Sequence, residues 1–547
     1  MLTYLKQVLK SLSRKEKEFV FIVSFTVLLI TLIPLAFSWV RSSDDYFTGG
    51  TFIAAADKMV YLSQIEEARQ GNALVHNLYT SEPQIGYLSP LWTGLGWFSR
   101  ATKLSPLFTL HFFRIIFGFI FLYLLYLFIS QIFSSVKWRK ITFLALSFSS
   151  GLGIFTVIRP WTAENMYNYF GTDIWFSEGN TFLTLFHSPL FILSQICLLL
   201  IFWWTIARLT SAKYTEAAAI GLIGGFLGFI HPYDIVIIFS VLLVWFAVKT
   251  VQKKEWFWPV FLKLIIVLFI SFLPIGYFFL LKYFSPGFAG WAIQNITLSP
   301  RIYNYMIGYG LIFILFLFGV YPAWKSRNRY FNFLAIWAIV SWLLLYAPLQ
   351  SQRRLGNGLH MPMVILAIFG LVVILNKLKQ LWLFKIVNKQ YIIKTTAILI
   401  LVFLAISSNL FLIGAEFFYH ALKGFYITQN EKEAIIWFKD NLKTTEVILS
   451  KNTIGSIIPA ISGRYVYLGH GHQTNNWLIK KYDVEEWFFK DNQGDALKYR
   501  WLLREGIDYL YHGSREMALG NFNPDEKSYL EEVYKNQEVT IYRIKVK

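Results

Sequence analysis

Long apolar runs are the feature that most limits what this chain can fold into. A helix needs about 20 consecutive apolar residues to cross the hydrocarbon core of a bilayer. Runs of about that length recur from residue 19 to residue 415, and charged residues make up only 15% of the sequence, against about 25% in soluble domains. The sequence therefore predicts a polytopic α-helical membrane protein. We predict about eleven spans, near residues 19–40, 106–133, 141–158, 183–208, 214–230, 233–250, 257–283, 303–323, 331–347, 361–376 and 393–415.

The basic residues between these runs predict the orientation of the spans. Cytoplasmic connections of membrane proteins are enriched in lysine and arginine. If the N-terminus is cytoplasmic, every second connection is basic, from 137–140 to 377–394, and the acidic connections lie on the opposite side. An odd number of spans then places everything after Phe417 outside the plasma (inner) membrane. The same loops explain the net charge of +19, which argues against nucleic acid as a partner.

The composition changes after residue 417, where apolar runs shorten and charges become more frequent. One helix, 431–442, and four strands are predicted from spacing and composition, the strands at 447–450, 465–469, 507–513 and 539–546. We therefore predict a membrane domain, 1–417, with a long first outer loop, 41–105, and an extracytoplasmic α/β domain, 418–547.

One boundary inside the membrane domain is decided by a proline. Residues 214–250 could form a single long helix, but Pro232 disfavours helical geometry at the residue before it. Two helices with His231 and Pro232 in the turn between them also keep Lys213 and Lys253 on the cytoplasmic side. The sequence therefore predicts a helical hairpin that turns at the outer surface.

The first outer loop holds six carboxylates in a chain where acids are scarce. They are Asp44, Asp45, Asp57, Glu66, Glu67 and Glu82. Loops of this length in compact proteins are usually functional or disordered, and the aromatic residues here are numerous enough to pack. The spacing predicts a helix after Asp57 that presents Tyr61 one turn away, with Glu66 and Glu67 on its solvated face.

Other outward-facing connections supply cations and further polar groups. Arg353 and Arg354 lie on the outer side against the usual bias of arginine toward the cytoplasm, and arginine suits bidentate contact with phosphate. With these two, the phosphate-binding candidates are Arg159, Lys282, Arg301, Arg353 and Arg354. Further outer polar residues are Asp173, Glu178, His187, His231 and Asp234.

Several of these motifs resemble those of bacterial GT-C type integral-membrane glycosyltransferases, a group related to protein mannosyltransferases and aminoarabinose transferases. In the first outer loop, an Asp precedes a Tyr-Leu helix, a Gly and a Tyr-Thr-x-Glu segment, which here are Asp57, Tyr61-Leu62, Gly71 and Tyr79–Glu82. The similarity covers most of the chain, and its later parts are Gly151–Gly153, Asp173 to His187, His231-Pro232 and Ser462–Thr474.

The resemblance implies a GT-C fold and a sugar donor linked to polyprenyl phosphate, with a glycan, lipid or protein acceptor at the outer face of the membrane. It implies a general base in the first outer loop, for which Asp57 is favoured and the pair Asp44 and Asp45 is the alternative. The cations above are the candidates for contact with the donor phosphate, because a leaving phosphate is stabilised by positive charge. The substrate-binding candidates are Tyr61, Glu82, His187, His231 and Asp234.

Metal dependence stays open at this point. Where such relatives use a divalent metal such as Mg²⁺ or Mn²⁺, acidic residues of the first and second outer loops commonly bind it. The candidates here are Asp173 and Glu178, but the second outer loop lacks an Asp-x-Asp motif. The two histidines in Gly469–His472 have no third ligand nearby, which argues against a metal there.

Other interpretations also stay open. A membrane transporter or lipid flippase would be polytopic too, although transporters often carry internal repeats and bind their substrates at the bilayer midplane. This chain shows no evident repeat, and its ionisable residues lie toward one face. Asp57 could instead cap its helix, since Asp favours the N-cap position. His187 and His231 could be hydrogen-bonded caps at span ends.

Overall fold

The structure, a computed structural model, describes residues 2–42, 45–378, 390–421, 425–492 and 494–545. Up to residue 300 its elements are α1 Leu2–Ser11, α2 Arg14–Val40, β1 Asp45–Phe47, α3 Ala55–Arg69, α4 Pro90–Thr102, α5 Pro106–Ile132, α6 Val136–Phe148, α7 Ala163–Asn168, α8 Thr181–His187, α9 Pro189–Arg208, α10 Tyr214–Ile230, α11 Tyr233–Lys253, α12 Trp258–Phe284 and α13 Pro286–Gln294.

The remaining elements include the last membrane helices and a small sheet. They are α14 Ile302–Lys325, α15 Arg329–Leu344, α16 His360–Leu378, α17 Gln390–Ala421, β2 Tyr426–Thr428, α18 Gln429–Asn441, β3 Val447–Leu449, α19 Asn452–Gly455, α20 Ile458–Ser462, β4 Tyr465–Val466, α21 Trp477–Lys481, α22 Asp495–Arg504, β5 Tyr509–His512, α23 Ser514–Met517, β6 Leu530–Lys535 and β7 Thr540–Ile544.

Seven of the described helices are long and apolar enough to cross a membrane, namely α2, α5, α9, α11, α12, α14 and α16. The helices α10 and α15 are apolar but shorter. The prediction of a polytopic α-helical membrane protein is confirmed. The break at His231 and Pro232 is confirmed as well, because α10 ends at Ile230 and α11 begins at Tyr233.

Two predicted spans have different bounds in the structure. The interval 141–158 does not form one helix, because α6 ends at Phe148 and the backbone becomes extended at Ser149. The long helix predicted at 183–208 begins at Pro189, which suits the first position of a helix. The Ser188 hydroxyl accepts a hydrogen bond from the Leu190 amide at 3.2 Å and caps this start.

The chain divides into two compact units. The first, which we call the helical unit, comprises Met1–Ile33, Phe112–Ile275 and Thr297–Ala415. The second, which we call the loop–sheet unit, comprises Pro34–His111, Gly276–Ile296 and Glu416–Lys547.

A kinked helix shapes the polar end of the helical unit. Gly310 in α14 adopts φ +48°, ψ −121°, a conformation that a residue with a side chain rarely takes. The kink frees the carbonyl of Ile307, which accepts a hydrogen bond from the Leu152 amide at 2.9 Å. Because Gly151 has no Cβ, its backbone can lie against Gly308 of the same helix. The 149–153 loop is therefore fixed directly on the backbone of α14.

The loop–sheet unit contains a five-stranded sheet in the order β4-β3-β5-β7-β6. The strand β3 runs parallel to β4 and β5, whereas β7 is antiparallel to β5 and β6. Apolar side chains from these strands and from α22 form its core. The predicted helix 431–442 and all four predicted strands are confirmed, and β6 is an additional strand. The short strand β1 pairs with β2 in a separate two-stranded sheet.

Candidate functional site

Asp57 of the loop–sheet unit lies in the first turn of α3 and does not cap it. The N-cap position is Ala54, whose backbone is left-handed at φ 53°, and no side chain accepts a capping hydrogen bond there. The capping interpretation is therefore wrong. A carboxylate in the first turn is still favourable, because helix N-termini carry partial positive charge.

A histidine far along the chain contacts this carboxylate. Nε2 of His470 lies 3.2 Å from Oδ1 of Asp57. Nδ1 of the same ring accepts hydrogen bonds from the backbone amides of His472 and Gln473 at 3.1 and 3.2 Å. Since Nδ1 is the acceptor, the proton of a neutral ring sits on Nε2 and is donated to Asp57. The hydrogen bond from His470 therefore fixes the orientation of the Asp57 carboxylate, in the way that hydrogen-bond partners orient the ligands of a metal centre.

The two members of the pair differ in exposure. The side chain of His470 is 4% exposed, whereas that of Asp57 is 48% exposed. The ring of Tyr79 lies edge-on to His470 with a centroid separation of 6.1 Å. The predicted substrate residue Tyr61 stacks on Trp92 at 4.6 Å. A fixed histidine thus holds an accessible carboxylate, which is what a general base requires.

The alternative candidates for the base in the first outer loop are Asp44 and Asp45. Asp44 lies outside the described residues. Asp45 belongs to β1, where it pairs with Thr428 of β2. Whether either one is the base stays a prediction.

The prediction that Glu66 and Glu67 face solvent is wrong. Both side chains are almost completely buried. Glu66 forms ion pairs with Lys439 at 2.6 Å and with Arg69 at 3.1 Å. Glu67 accepts a hydrogen bond from the His76 amide and lies 2.6 Å from Nδ1 of that ring. Buried carboxylates are tolerated in this way when charges or amides compensate them.

Two further predicted residues lie in the loop–sheet unit. Glu82 pairs with Lys480 at 2.9 Å and accepts a hydrogen bond from the Thr80 hydroxyl. The Lys480 ammonium also lies 4.5 Å from the ring centre of Tyr467, so this carboxylate is anchored to the C-terminal segment. Lys282 is exposed near the end of α12.

The helical unit contains a second polar group, centred on Asp234. This carboxylate is fully buried at the start of α11. It accepts hydrogen bonds from the Ser194 hydroxyl and, at 2.9 and 3.0 Å, from the Asn357 amide. Nδ1 of His231 lies 3.0 Å from Oδ2 of Asp234. The sequence predictions included Asp234 and His231 but missed Ser194 and Asn357, because their contacts with Asp234 join residues 40 and 123 positions apart.

Aromatic contacts connect this group to other predicted residues. His187 stacks on Phe191 at 5.5 Å, and Phe191 packs edge-on against His231 at 5.6 Å. The guanidinium of Arg354 lies 4.9 Å from the ring centre of Tyr233. The structure therefore brings His187, His231, Asp234 and Arg354 together at one end of the helices.

The two adjacent arginines have different partners. Arg354 lies 4.0 Å from a carboxylate oxygen of Glu178, which is a long ion pair. Arg353 donates to the Tyr167 hydroxyl at 2.9 Å and lies 5.1 Å from the ring centre of Trp175. Arg353 is thus held in an aromatic setting, whereas Arg354 lies near both Glu178 and the ring of Tyr233.

Arg159 and Arg301 are exposed. Among the described residues, no contact connects either of them to the polar group around Asp234. The guanidinium of Arg159 lies 4.2 Å from the ring centre of Tyr169. Arg301 donates to the Tyr303 hydroxyl at 3.4 Å. Their assignment to the donor phosphate stays a prediction.

The Asp173 carboxylate forms hydrogen bonds with the backbone of the 149–153 loop. This buried carboxylate accepts hydrogen bonds from the amides of Gly151 and Gly153 at 2.8 and 3.4 Å. A Cβ at Gly153 would lie 2.2 Å from Oδ1, so this close approach requires glycine. Burial raises the pKa of Asp173 to about 6, although the hydrogen bonds from Ser408 and the two amides lower it. The folded protein therefore favours the uncharged form of this carboxyl more than water does.

These residues do not form a recognisable metal centre. Within the described ranges, no group of three or more His, Cys, Asp or Glu side chains could hold a metal ion. The predicted ligand Glu178 is directed to Arg354 and to the hydroxyl of Ser177. We assign no chemical step to a metal.

A pair of substitutions at Asp173 separates a structural role from metal binding. Asp173→Asn keeps an acceptor and is uncharged, so we expect a melting temperature close to that of the parent protein. Asp173→Ala leaves the buried Gly151 amide without its acceptor and should cost about 1–3 kcal/mol of stability. Thermal unfolding of the purified variants checks this. Equal damage by both changes, with loss of stimulation by Mg²⁺ or Mn²⁺, would support a metal ligand instead.

The comparisons with known proteins give a fold and no close relative. No protein-family model matches the sequence, and no curated protein matches it. The structure of ArnT from Cupriavidus metallidurans bound to undecaprenyl phosphate is similar with a TM-score of 0.54 at 12% identity, covering 97% of this chain and 98% of that chain. The Archaeoglobus fulgidus oligosaccharyltransferase tethered with an acceptor peptide is similar with a TM-score of 0.51 at 14% identity, covering 91% of this chain and 69% of that chain. At this level of identity, the likeness concerns the fold.

Proposed function

We propose that this chain, which has the GT-C fold, is a glycosyltransferase that moves a sugar from a polyprenyl-phosphate-linked donor to an acceptor at the outer face of the membrane. The fold supports this class of reaction, and the Asp57–His470 pair is the observation that carries it. An accessible carboxylate held by a buried histidine is suited to accept a proton. A fold alone would leave the chemistry unassigned.

The proposed reaction is a displacement at the anomeric carbon of the donor sugar. Asp57 takes the proton of the acceptor hydroxyl or amine as that atom attacks the anomeric carbon. The bond between this carbon and the phosphate oxygen breaks, and polyprenyl phosphate leaves with the bonding electrons. His470 is a positioning residue in this scheme, since it donates its Nε2 proton to Asp57 and contacts no reacting atom.

We assign the leaving phosphate primarily to Arg354. Its guanidinium lies over the ring of Tyr233, beside the buried Asp234 group, and a guanidinium can bind phosphate through two parallel hydrogen bonds. Arg353 is assigned a supporting role, since Tyr167 and Trp175 already hold it. Arg159, Lys282 and Arg301 remain secondary candidates for the same phosphate.

Substrate positioning is assigned to polar groups of each unit. In the helical unit these are His187, His231 and Asp234, and in the loop–sheet unit they are Tyr61 and Glu82. A divalent metal, Mg²⁺ or Mn²⁺, enters the proposal only as an additive to be varied in the assay.

Incubation of the purified protein with a panel of polyprenyl-phosphate sugars tests the proposed activity. We expect release of free polyprenyl phosphate with one donor of the panel, dependent on a membrane-extract acceptor. The matched control is the same assay with Asp57→Asn. Movement of intact donor across a vesicle bilayer without bond cleavage would favour the transporter or flippase alternative.

We also propose that the chain is inserted in the plasma (inner) membrane with a cytoplasmic N-terminus, and that the 418–547 domain is extracytoplasmic. The alternation of basic connections supports this orientation. A reporter active only in the cytoplasm should therefore be silent when fused after Lys547. The same reporter inserted after Ser135, between α5 and α6, should be active. Activity at the C-terminal fusion would contradict the orientation and the placement of Asp57 outside.

A further inference from the structure

A cavity of about 330 Å³ lies within the loop–sheet unit, against α3 and α18. We call it the α3–α18 cavity. Its lining includes Met59, Leu62, Glu66 and Arg69 of α3, together with the apolar side chains of Ile436 and Ile457. The α3 residues among these are spaced three or four apart and share one helix face, and a 3.6-residue turn puts Asp57 on the opposite face. The cavity is therefore separate from the proposed base.

The walls of this cavity carry an excess of positive charge. Four cationic side chains line it, namely Arg69, Lys103, Lys432 and Lys439, against two carboxylates, Glu66 and Asp440. Glu66 is already matched by both Lys439 and Arg69. Within the part of the chain that the structure describes, no carboxylate forms an ion pair with Lys103 or Lys432. Among the described residues, the charges of Lys103 and Lys432 thus line the cavity without an ion pair.

The buried Glu66 also fixes the direction of two of these cations. Its carboxylate is 2% exposed and holds the Lys439 ammonium at 2.6 Å and the Arg69 guanidinium at 3.1 Å. Lys432 lies 4.5 Å from the ring centre of Tyr46, which restricts its position as well. Cations held in place before binding lose less entropy when an anion arrives. The cavity is accordingly organised for a compact anion above an apolar floor.

The cavity lies beside the first residues of a membrane span. Lys103 and Ser105 directly precede α5, which begins at Pro106 and is apolar enough to cross a membrane. The phosphates of lipid headgroups occur at this depth, and soluble phosphate esters reach it from the aqueous side. At about 330 Å³, the cavity is at the small end of the range for ligand sites. A glycerol-phosphate headgroup suits this size, whereas a whole lipid does not.

We propose that the α3–α18 cavity binds a phosphate group, carried either by an anionic lipid headgroup or by a soluble phosphate ester. Lys103 and Lys432 supply the binding charge, and Arg69 and Lys439 complete the cationic wall. This site goes beyond the proposed glycosyl transfer and does not depend on it, because the ligand is bound without reaction.

Thermal unfolding of the full-length protein in a neutral detergent tests the proposal. The first arm adds dihexanoyl phosphatidylglycerol, with dihexanoyl phosphatidylcholine as the neutral lipid control. The second arm adds inorganic phosphate, with chloride at the same ionic strength as control. We expect phosphatidylglycerol or phosphate to raise the melting temperature by at least about 2 °C at saturation. The shift should shrink in 1 M salt, because screening weakens the attraction.

Variants connect this shift to the cavity. The double change Lys103→Ala and Lys432→Ala should weaken the apparent affinity at least about tenfold, since each removes a charge-assisted contact. Lys103→Arg with Lys432→Arg keeps the charge, should retain the shift, and stays informative if the alanine variant fails to fold. Lys535→Ala removes an exposed lysine of the same unit outside the cavity and should change nothing.

The outcomes separate the two ligand sources and the alternatives. A shift with phosphatidylglycerol alone identifies a lipid headgroup, and a shift with inorganic phosphate alone identifies a soluble ester. Equal shifts with phosphatidylcholine, or an unchanged response in the double alanine variant, would overturn the proposal. Because none of these measurements uses a sugar donor, failure of this site and failure of the transferase proposal are distinguishable.

Discussion

Asp57→Asn should reduce glycosyl transfer by at least about 100-fold, because asparagine keeps the shape of the side chain and cannot accept the acceptor's proton. The structure supports this expectation with one arrangement. The half-exposed carboxylate is held at 3.2 Å by Nε2 of His470, whose other nitrogen is fixed by two backbone amides. The measurement is the initial rate of polyprenyl phosphate release at saturating donor.

The controls separate loss of the base from loss of the fold. Asp57→Asn should still bind donor and unfold at a temperature close to that of the parent protein, because the amide can accept the same hydrogen bond from His470. His470→Ala leaves the carboxylate in place without its orienting donor, so the rate should fall less than in Asp57→Asn. A histidine that acts only by positioning should lower kcat while KM stays nearly constant.

The other carboxylates of the first outer loop provide the opposing test. Asp45→Asn and Asp44→Asn should cost less activity than Asp57→Asn. If either of them abolishes transfer while Asp57→Asn turns over normally, the base belongs to the earlier pair. If all three variants remain active, the transferase proposal itself fails.

The sequence was sufficient for the fold because the signals that predict it are local. Apolar runs predict membrane helices from length and composition alone, and Pro232 predicts the end of α10 two residues earlier, at Ile230. The strand β6 was missed because its alternation is interrupted by an irregularity between Glu532 and Tyr534. The 141–158 interval was misjudged because the backbone contact of Gly151 with α14 is tertiary.

The candidate site was predictable only in part, since its partners are distant in the chain. His187, His231, Asp234 and Arg354 were found from their charge at span ends, and the structure places them together. The contact between Asp57 and His470 joins residues 413 positions apart, so no spacing rule reveals it. The burial of Glu66 was missed for the same reason, because its charge is compensated by Lys439 in the C-terminal segment.

The second large effect is expected at Arg354, which we assign to the phosphate of the donor. Arg354→Ala should weaken donor binding by about 10- to 100-fold, equivalent to the 1.5–3 kcal/mol typical of a hydrogen bond to a charged group. A guanidinium can donate two parallel hydrogen bonds to one phosphate, so loss of the Arg354 side chain removes a charge-assisted contact. The measurement is the Kd of a polyprenyl-phosphate sugar by titration of the purified protein.

Matched variants at the neighbouring position distinguish phosphate contact from packing. Arg353→Ala removes a side chain that lies against Tyr167 and Trp175, so it should lower thermal stability as well as donor affinity. Arg354→Lys keeps the charge and loses the planar fork, so it should recover only part of the affinity. Arg301→Ala removes an exposed arginine of the same unit and should have a smaller effect. Unchanged donor affinity in Arg353→Ala, Arg354→Ala and the double variant would remove both arginines from the site, because loss of a contact to the phosphodiester anion of the donor should weaken binding.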